Sequence, residues 1–135
     1  MKTKLVACSG VFDIIHAGHI KFLKEARRQG NKLIVFLNSD TSTKQLKGPD
    51  RPINNQEVRK TRLLKYADEV IIFNELDPIK LIRFFKPDIY VNGEEYGENC
   101  LEKEAVNSYG GKIYIVKKYK NLSTTNILKN LKQKL

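Results

Sequence analysis

The chain has 135 residues, 41% of them hydrophobic and 30% charged, with a formal net charge of +10 at neutral pH. That length supports one domain with a core of ordinary size, and no apolar run approaches what a membrane-crossing helix requires. Cys8 and Cys100 are the only cysteines and are unpatterned, which argues against a disulfide framework and fits a reducing compartment. The apolar run after Met1-Lys2-Thr3-Lys4 is too short for a secretory signal, so a soluble cytoplasmic protein is expected. The charge is uneven. Seven lysines and no acid lie between Lys112 and Leu135, leaving +3 on the rest. Such a run reads most simply as a solvated helix face, with a nucleic-acid patch as the alternative.

Leu5-Val6-Ala7-Cys8 reads as a short buried strand. Ile20, Phe22, Leu23 and Ala26 then put an apolar stripe on a helix ended by Gly30. Between them, at the strand-to-helix turn, lie both histidines of the chain, His16 and His19. Unpaired backbone N–H groups and the positive end of a helix dipole suit such a turn to phosphate. Imidazoles three residues apart are about one helical turn apart, so both can donate to one ligand, and Gly18 between them lets that ligand approach the backbone. Two other readings compete: a zinc site completed by Cys8 and Cys100, which lacks any Cys-x-x-Cys spacing, and plain packing of either ring.

Lys32 to Leu37 is a second apolar strand, which makes a βαβ unit. Its parallel, right-handed form puts the histidines at the carboxyl edge of the sheet. After Asn38-Ser39-Asp40, residues 41–48 predict a short helical turn and loop carrying Lys44 and Lys47, and Pro49-Asp50-Arg51-Pro52 a turn. Asn54 or Asn55 caps a helix holding Val58, Leu63 and Leu64, with Arg59, Lys60 and Arg62 on a basic outer face. Glu69 to Phe73 is a third strand. Asp77-Pro78 opens a helix with Ile79, Ile82 and Phe85 inward, stopped by Lys86-Pro87. Asp88 to Val91 is a fourth strand, Asn92 to Gly97 a polar loop, and a helix runs from about Leu101 to Tyr109. Lys112 to Val116 is a fifth strand, and Ser123-Thr124-Thr125-Asn126 caps a last helix. Five strands alternating with helices predict an α/β, three-layer, Rossmann-like fold with a five-stranded parallel sheet. It forms a single domain over residues 1–135, with ligands in the crevice beyond the strand ends.

The run Gly10-Val11-Phe12-Asp13-Ile14-Ile15-His16-Ala17-Gly18-His19 resembles the signature of the nucleotidylyltransferase superfamily of the cytidylyltransferase type, and the likeness extends over essentially the whole chain. In that superfamily the His-x-Gly-His element holds the phosphates of a nucleoside triphosphate, and a Ser-Thr-Thr element opening a late helix meets the β- and γ-phosphates. Residues 42–52 and 123–127 look most like the enzymes that join AMP to heptose 1-phosphate, with glycerol-3-phosphate cytidylyltransferases next. Two stretches depart from these patterns. The heptose group carries Val-Lys-Gly-x-Asp-Tyr after the fourth strand, where this chain has Val91-Asn92-Gly93-Glu94-Glu95-Tyr96. The run Lys118 to Leu122 lacks the arginine that precedes Ser-Thr-Thr in the glycerol-phosphate enzymes.

What the resemblance implies is an enzyme. It would transfer a nucleoside monophosphate, AMP favoured, to a sugar phosphate such as heptose 1-phosphate, releasing pyrophosphate. The alternatives are a cytidylyltransferase making a CDP-polyol such as CDP-glycerol, and a non-catalytic nucleotide- or nucleic-acid-binding module. Catalysis is expected from His16, His19, Lys44 and Lys47. Gly10, Val11, Phe12, Gly18, Arg59, Gly93, Ser123, Thr124 and Thr125 are expected on the nucleotide, Arg59 as a phosphate clamp. Asp13 and Glu95 are expected near the acceptor, with Asp13 also fixing its turn by hydrogen bonds. Mg2+ would travel with the triphosphate, with no dedicated protein ligands. The implied partners are a nucleoside triphosphate and a phosphorylated small molecule, with no membrane, nucleic acid disfavoured, and pairing as a homodimer.

Overall fold

The computed structural model describes residues 3–97 and 100–117. Its elements in chain order are β1 (Leu5–Gly10), α1 (Ala17–Arg28), β2 (Lys32–Asn38), α2 (Asp40–Lys47), α3 (Gln56–Leu63), β3 (Glu69–Phe73), α4 (Ile79–Phe85), β4 (Ile89–Gly93), α5 (Lys103–Asn107) and β5 (Lys112–Val116). The five strands form one parallel sheet in the order β3-β2-β1-β4-β5.

Strand alternation builds a core on each face. Along β2, Leu33, Val35 and Leu37 point to the side covered by Leu23 and Ala26 of α1 and Leu63 of α3. Ile34 and Phe36 point to the other side, against Ile82 of α4 and Ala105 and Val106 of α5. A strand buried on both faces must be apolar throughout, which is why β2 reads as an unbroken hydrophobic run. Each large side chain so buried contributes roughly 1.5–3 kcal/mol. Carboxylates tie the amino ends of the strands: Asp88 accepts from the Leu5 amide and Asp68 from the Leu33 amide, each at 2.8 Å.

One feature of the topology positions the site. Chain order reverses between β1 and β4, and their ladder holds only Val6–Ile89 and Ala7–Tyr90. Beyond those pairs the two strands run on separately to Gly10 and Gly93, so the sheet opens at its carboxyl edge, where doubly wound sheets place ligands.

Several boundaries differ from those expected. Residues 40–47 form a regular helix, α2, with the Ser39 hydroxyl accepting from the Ser42 amide at 3.1 Å. The first helix stops at Arg28. Gly30 serves close packing, since a Cβ there would lie 2.7 Å from the Lys4 carbonyl. Asn55, not Asn54, caps α3. Pro78 stands one position before α4, while the Asp77 carboxylate accepts from the Ile79 amide. The helix expected over residues 101–109 is confined to α5. The expected last helix and its Ser123-Thr124-Thr125 start lie outside the described residues.

Candidate phosphate-binding site

The connection from β1 to α1 carries most of the site. His16 is the N-cap of α1, extended at φ −120° and ψ 179°, and its Nδ1 accepts from the Gly18 amide at 3.0 Å. The Nδ1 of His19 in turn meets the His16 amide at 3.4 Å. Two imidazoles thus do what Ser and Glu do in an ordinary capping box, satisfying amides that a helix start leaves unpaired. With Nδ1 accepting, His16 carries its proton on Nε2, which becomes the donor.

The two rings stack with centroids 3.9 Å apart and planes inclined by 28°. Burial and the neighbouring His16 push the His19 pKa down to about 4, against an opposing interaction with the Ile14 backbone. His19 is therefore a neutral ring at physiological pH. Phe12 meets it edge-on at 5.6 Å. Phe12 itself has φ 47°, a left-handed conformation that costs a bulky side chain on the order of 1–3 kcal/mol and that tends to occur where function over-determines the backbone. Gly10 makes room for it, because a Cβ at Gly10 would lie 2.9 Å from the Phe12 ring.

Asp13 braces this turn from 40 residues away. Its two carboxylate oxygens accept from the amides of Ile53 (2.7 Å) and Asn54 (2.8 Å), and the Asn54 side chain donates back to the Asp13 carbonyl at 2.7 Å. Burial alone would raise its pKa, but those two amides, with Arg51 and Arg59, hold it below the usual carboxylate range. The carboxylate is occupied by loop amides, which accounts for its turn-fixing part and leaves the acceptor expectation without support here.

Arg59 corrects another expectation. It is completely buried, and its guanidinium donates to the carbonyls of Asn54, Val11 and Asn38 and to the Asp40 carboxylate, all within 2.8–2.9 Å. Fully buried and with four of its five N–H donors on the protein, it does not clamp a phosphate. It ties α3 to the β1–α1 turn, the end of β2 and the start of α2.

Lys44 and Lys47 lie in the last turn of α2, exposed, on a helix that Ser39 alone separates from β2. The Arg51 guanidinium lies 3.6 Å from Asp13. Gly93 ends β4 and Glu95 lies in the turn after it, its carboxylate folded back over Gly93. Cys8 is fully buried and its thiol is pushed up to about 12 by burial. Among the described residues no group of three or more His, Cys, Asp or Glu side chains is placed to hold a metal ion, and no helix is long and apolar enough to cross a membrane.

The capping role of the histidines carries no residue signature, since His is not a usual cap. Asn92 is buried near the end of β4, its amide nitrogen unpaired among the described residues, which the sequence pattern does not announce.

A parallel α/β sheet that opens at its switch point beside a donor-rich helix start is a nucleotide-phosphate-binding architecture of the Rossmann-like kind. The family model for Cytidylyltransferase-like proteins matches residues 7–131, and the chain belongs to that family, as a nucleotidyltransferase-type domain. It is 40% identical over 131 residues to "Bifunctional protein HldE" of Gluconobacter oxydans (strain 621H), covering 95% of this chain and 27% of that protein. Against the HldE of Shigella sonnei (strain Ss046) identity is 44% over 133 residues, 96% of this chain and 28% of that one. The chain thus spans little more than a quarter of these relatives. The crystal structure of the lipopolysaccharide core biosynthesis protein from Thermoplasma volcanium GSS1 is similar with TM-score 0.67 and 34% identity, over 87% of this chain and 98% of that one. Pantoate-beta-alanine ligase from Francisella tularensis, solved with Beta-gamma ATP and Beta-alanine, shares the fold at TM-score 0.65 and 17% identity, over 95% of this chain and 65% of that one.

Proposed function

We propose that the domain transfers a nucleoside monophosphate, AMP in the first instance, from a nucleoside triphosphate to a sugar phosphate such as heptose 1-phosphate, with release of pyrophosphate. The observation that carries this reading is the stacked His16–His19 pair built into the N-terminus of α1, beside the opening between β1 and β4. Its chemistry follows from the donor set. An oxygen of the acceptor phosphate attacks the α-phosphorus, the new P–O bond forms as the α–β bridging bond breaks, and pyrophosphate departs with the released electron pair. The acceptor is already ionised at neutral pH, so no strong base is required. What must be supplied is alignment of two anions and stabilisation of the added charge. Imidazole N–H groups, the helix dipole, Lys44, Lys47 and Arg51 are suited to that. Ser123, Thr124 and Thr125 would hold the departing pyrophosphate. Magnesium would enter with the triphosphate as part of the substrate.

Relatives named HldE at 40–44% identity support the adenylyl reading. A second reading, cytidylyl transfer to a polyol phosphate, draws on one observation: Asn92 stands where the heptose-type loop has lysine. The test is magnesium-dependent pyrophosphate release with ATP or CTP against heptose 1-phosphate, glycerol 3-phosphate and related phosphates. Release is expected for ATP with a sugar 1-phosphate. Turnover of CTP with glycerol 3-phosphate alone would replace the first reading by the second.

A further inference from the structure

Where the sheet opens, one buried donor has no partner. Asn92, next to last in β4, is 8% exposed, and its amide nitrogen makes no hydrogen bond among the described residues. Leaving such a group unpaired costs about 1–3 kcal/mol, so a protein that keeps one usually uses it. Alternation along β4 puts Asn92 on the same face as Tyr90, toward α5, in the stretch of β4 that has parted from β1. The Tyr90 and Ser9 hydroxyls hydrogen-bond each other across that gap. Cys100 lies beside Asn92, close enough for the amide to favour its thiolate slightly, although burial and Glu102 raise the thiol overall and the approach falls short of a hydrogen bond.

The surrounding charge narrows what the amide can meet. Glu95 folds its carboxylate back to within 2.7 Å of the point that a Cβ on Gly93 would occupy, and Glu102 is close enough to raise the pKa values of Tyr90, Tyr96 and Cys100. The Asn92 end of the carboxyl edge is therefore acidic. A phosphate is repelled there, whereas an uncharged lone pair is not.

We infer that Asn92 is a specificity-determining residue of the site proposed above, its amide donating to an uncharged hydrogen-bond acceptor of the ligand: a ring nitrogen or carbonyl of the base, or a sugar hydroxyl. The inference rests on the nucleotidyl-transfer reading. Asn92→Leu keeps the branched skeleton and removes the donor, and Asn92→Ser shortens the side chain while remaining polar. Each is compared with the wild type for melting temperature, for affinity toward ATP, CTP and inorganic tripolyphosphate, and for KM toward heptose 1-phosphate and glycerol 3-phosphate. Asn92→Leu is expected to melt no lower than the wild type, because the lost donor had no partner, and to bind tripolyphosphate within twofold of it. Contact with the base shows as an affinity for ATP or CTP about tenfold weaker, and contact with a sugar hydroxyl as an acceptor KM about tenfold higher at unchanged nucleotide affinity. The inference is overturned if affinity and KM both stay within twofold in both variants. It is also overturned if both variants melt several degrees lower, which would make the amide a structural group. A wild-type protein that binds none of ATP, CTP and tripolyphosphate would remove the underlying reading as well, and that outcome is visible before any substitution is made.

Discussion

The two histidines hold the backbone and offer donors at the same time. Because Nδ1 of each ring is turned to a helix-start amide, a protonated ring can no longer accept there. His19 carries the consequence. Its folded pKa, about 4, lies below its ordinary value of 6.5, so between those limits the unfolded chain binds more protons than the folded one. Stability is thus complete above about pH 6.5, declines on acidification towards pH 4 and levels off below. Chemical denaturation of the wild type and of His19→Asn across pH 4–7 should show the decline in the first and a flatter profile in the second; equal slopes would remove His19 as the cause. At this scale the sequence marks residue types and not what holds them. The motif marks His16, His19, Phe12 and Gly10 by type, but the edge-on contact of Phe12 with His19 and the room that Gly10 leaves depend on a backbone turn that residue types do not specify.

The elements show why some expectations held and others shifted. Strands β1 to β5 were legible because a sheet covered on both faces forces continuous apolar runs. Helix α2 was legible only as a short helical turn, because it buries Ser42 and Thr43 rather than an apolar stripe, and polar residues give no periodic signal. Arg59 was misplaced by its company. Lys60 and Arg62 suggest a solvated basic face, yet Arg59 is four residues from Leu63 and so shares the inward face of α3 with it. Its burial makes it a brace between α3, α2 and the β1–α1 turn. Replacing Arg59 by Met should cost about 3–5 kcal/mol, since it orphans three carbonyls and the Asp40 carboxylate that now share its donors. Urea denaturation reads this directly. A loss under 1 kcal/mol would mean that water replaces those bonds and that Arg59 could turn outward to a ligand after all.

For the molecule as a whole, topology and charge act together. Reversal of strand order between β1 and β4 opens the sheet, and the short β1–β4 ladder makes that opening deeper than strand order alone implies. Glu95 and Glu102 gather by Asn92 on the β4 side of it, which makes that end of the opening acidic. The α/β class and the parallel sheet could be read from alternating apolar runs and helices. The polarity of the edge could not, because it depends on which loops the strand order brings together.

The central claim is that the His16–His19 pair at the start of α1 drives nucleotidyl transfer, and Asn in place of His16 separates that role from helix capping. Asn is among the best N-cap residues, so His16→Asn should keep the stability of α1 while losing the imidazole donor. Pyrophosphate release under single-turnover conditions, with the melting temperature recorded beside it, is the measurement. The account predicts a rate lower by on the order of 10²-fold at a nearly unchanged melting temperature. Release at the wild-type rate from a folded His16→Asn protein would contradict it.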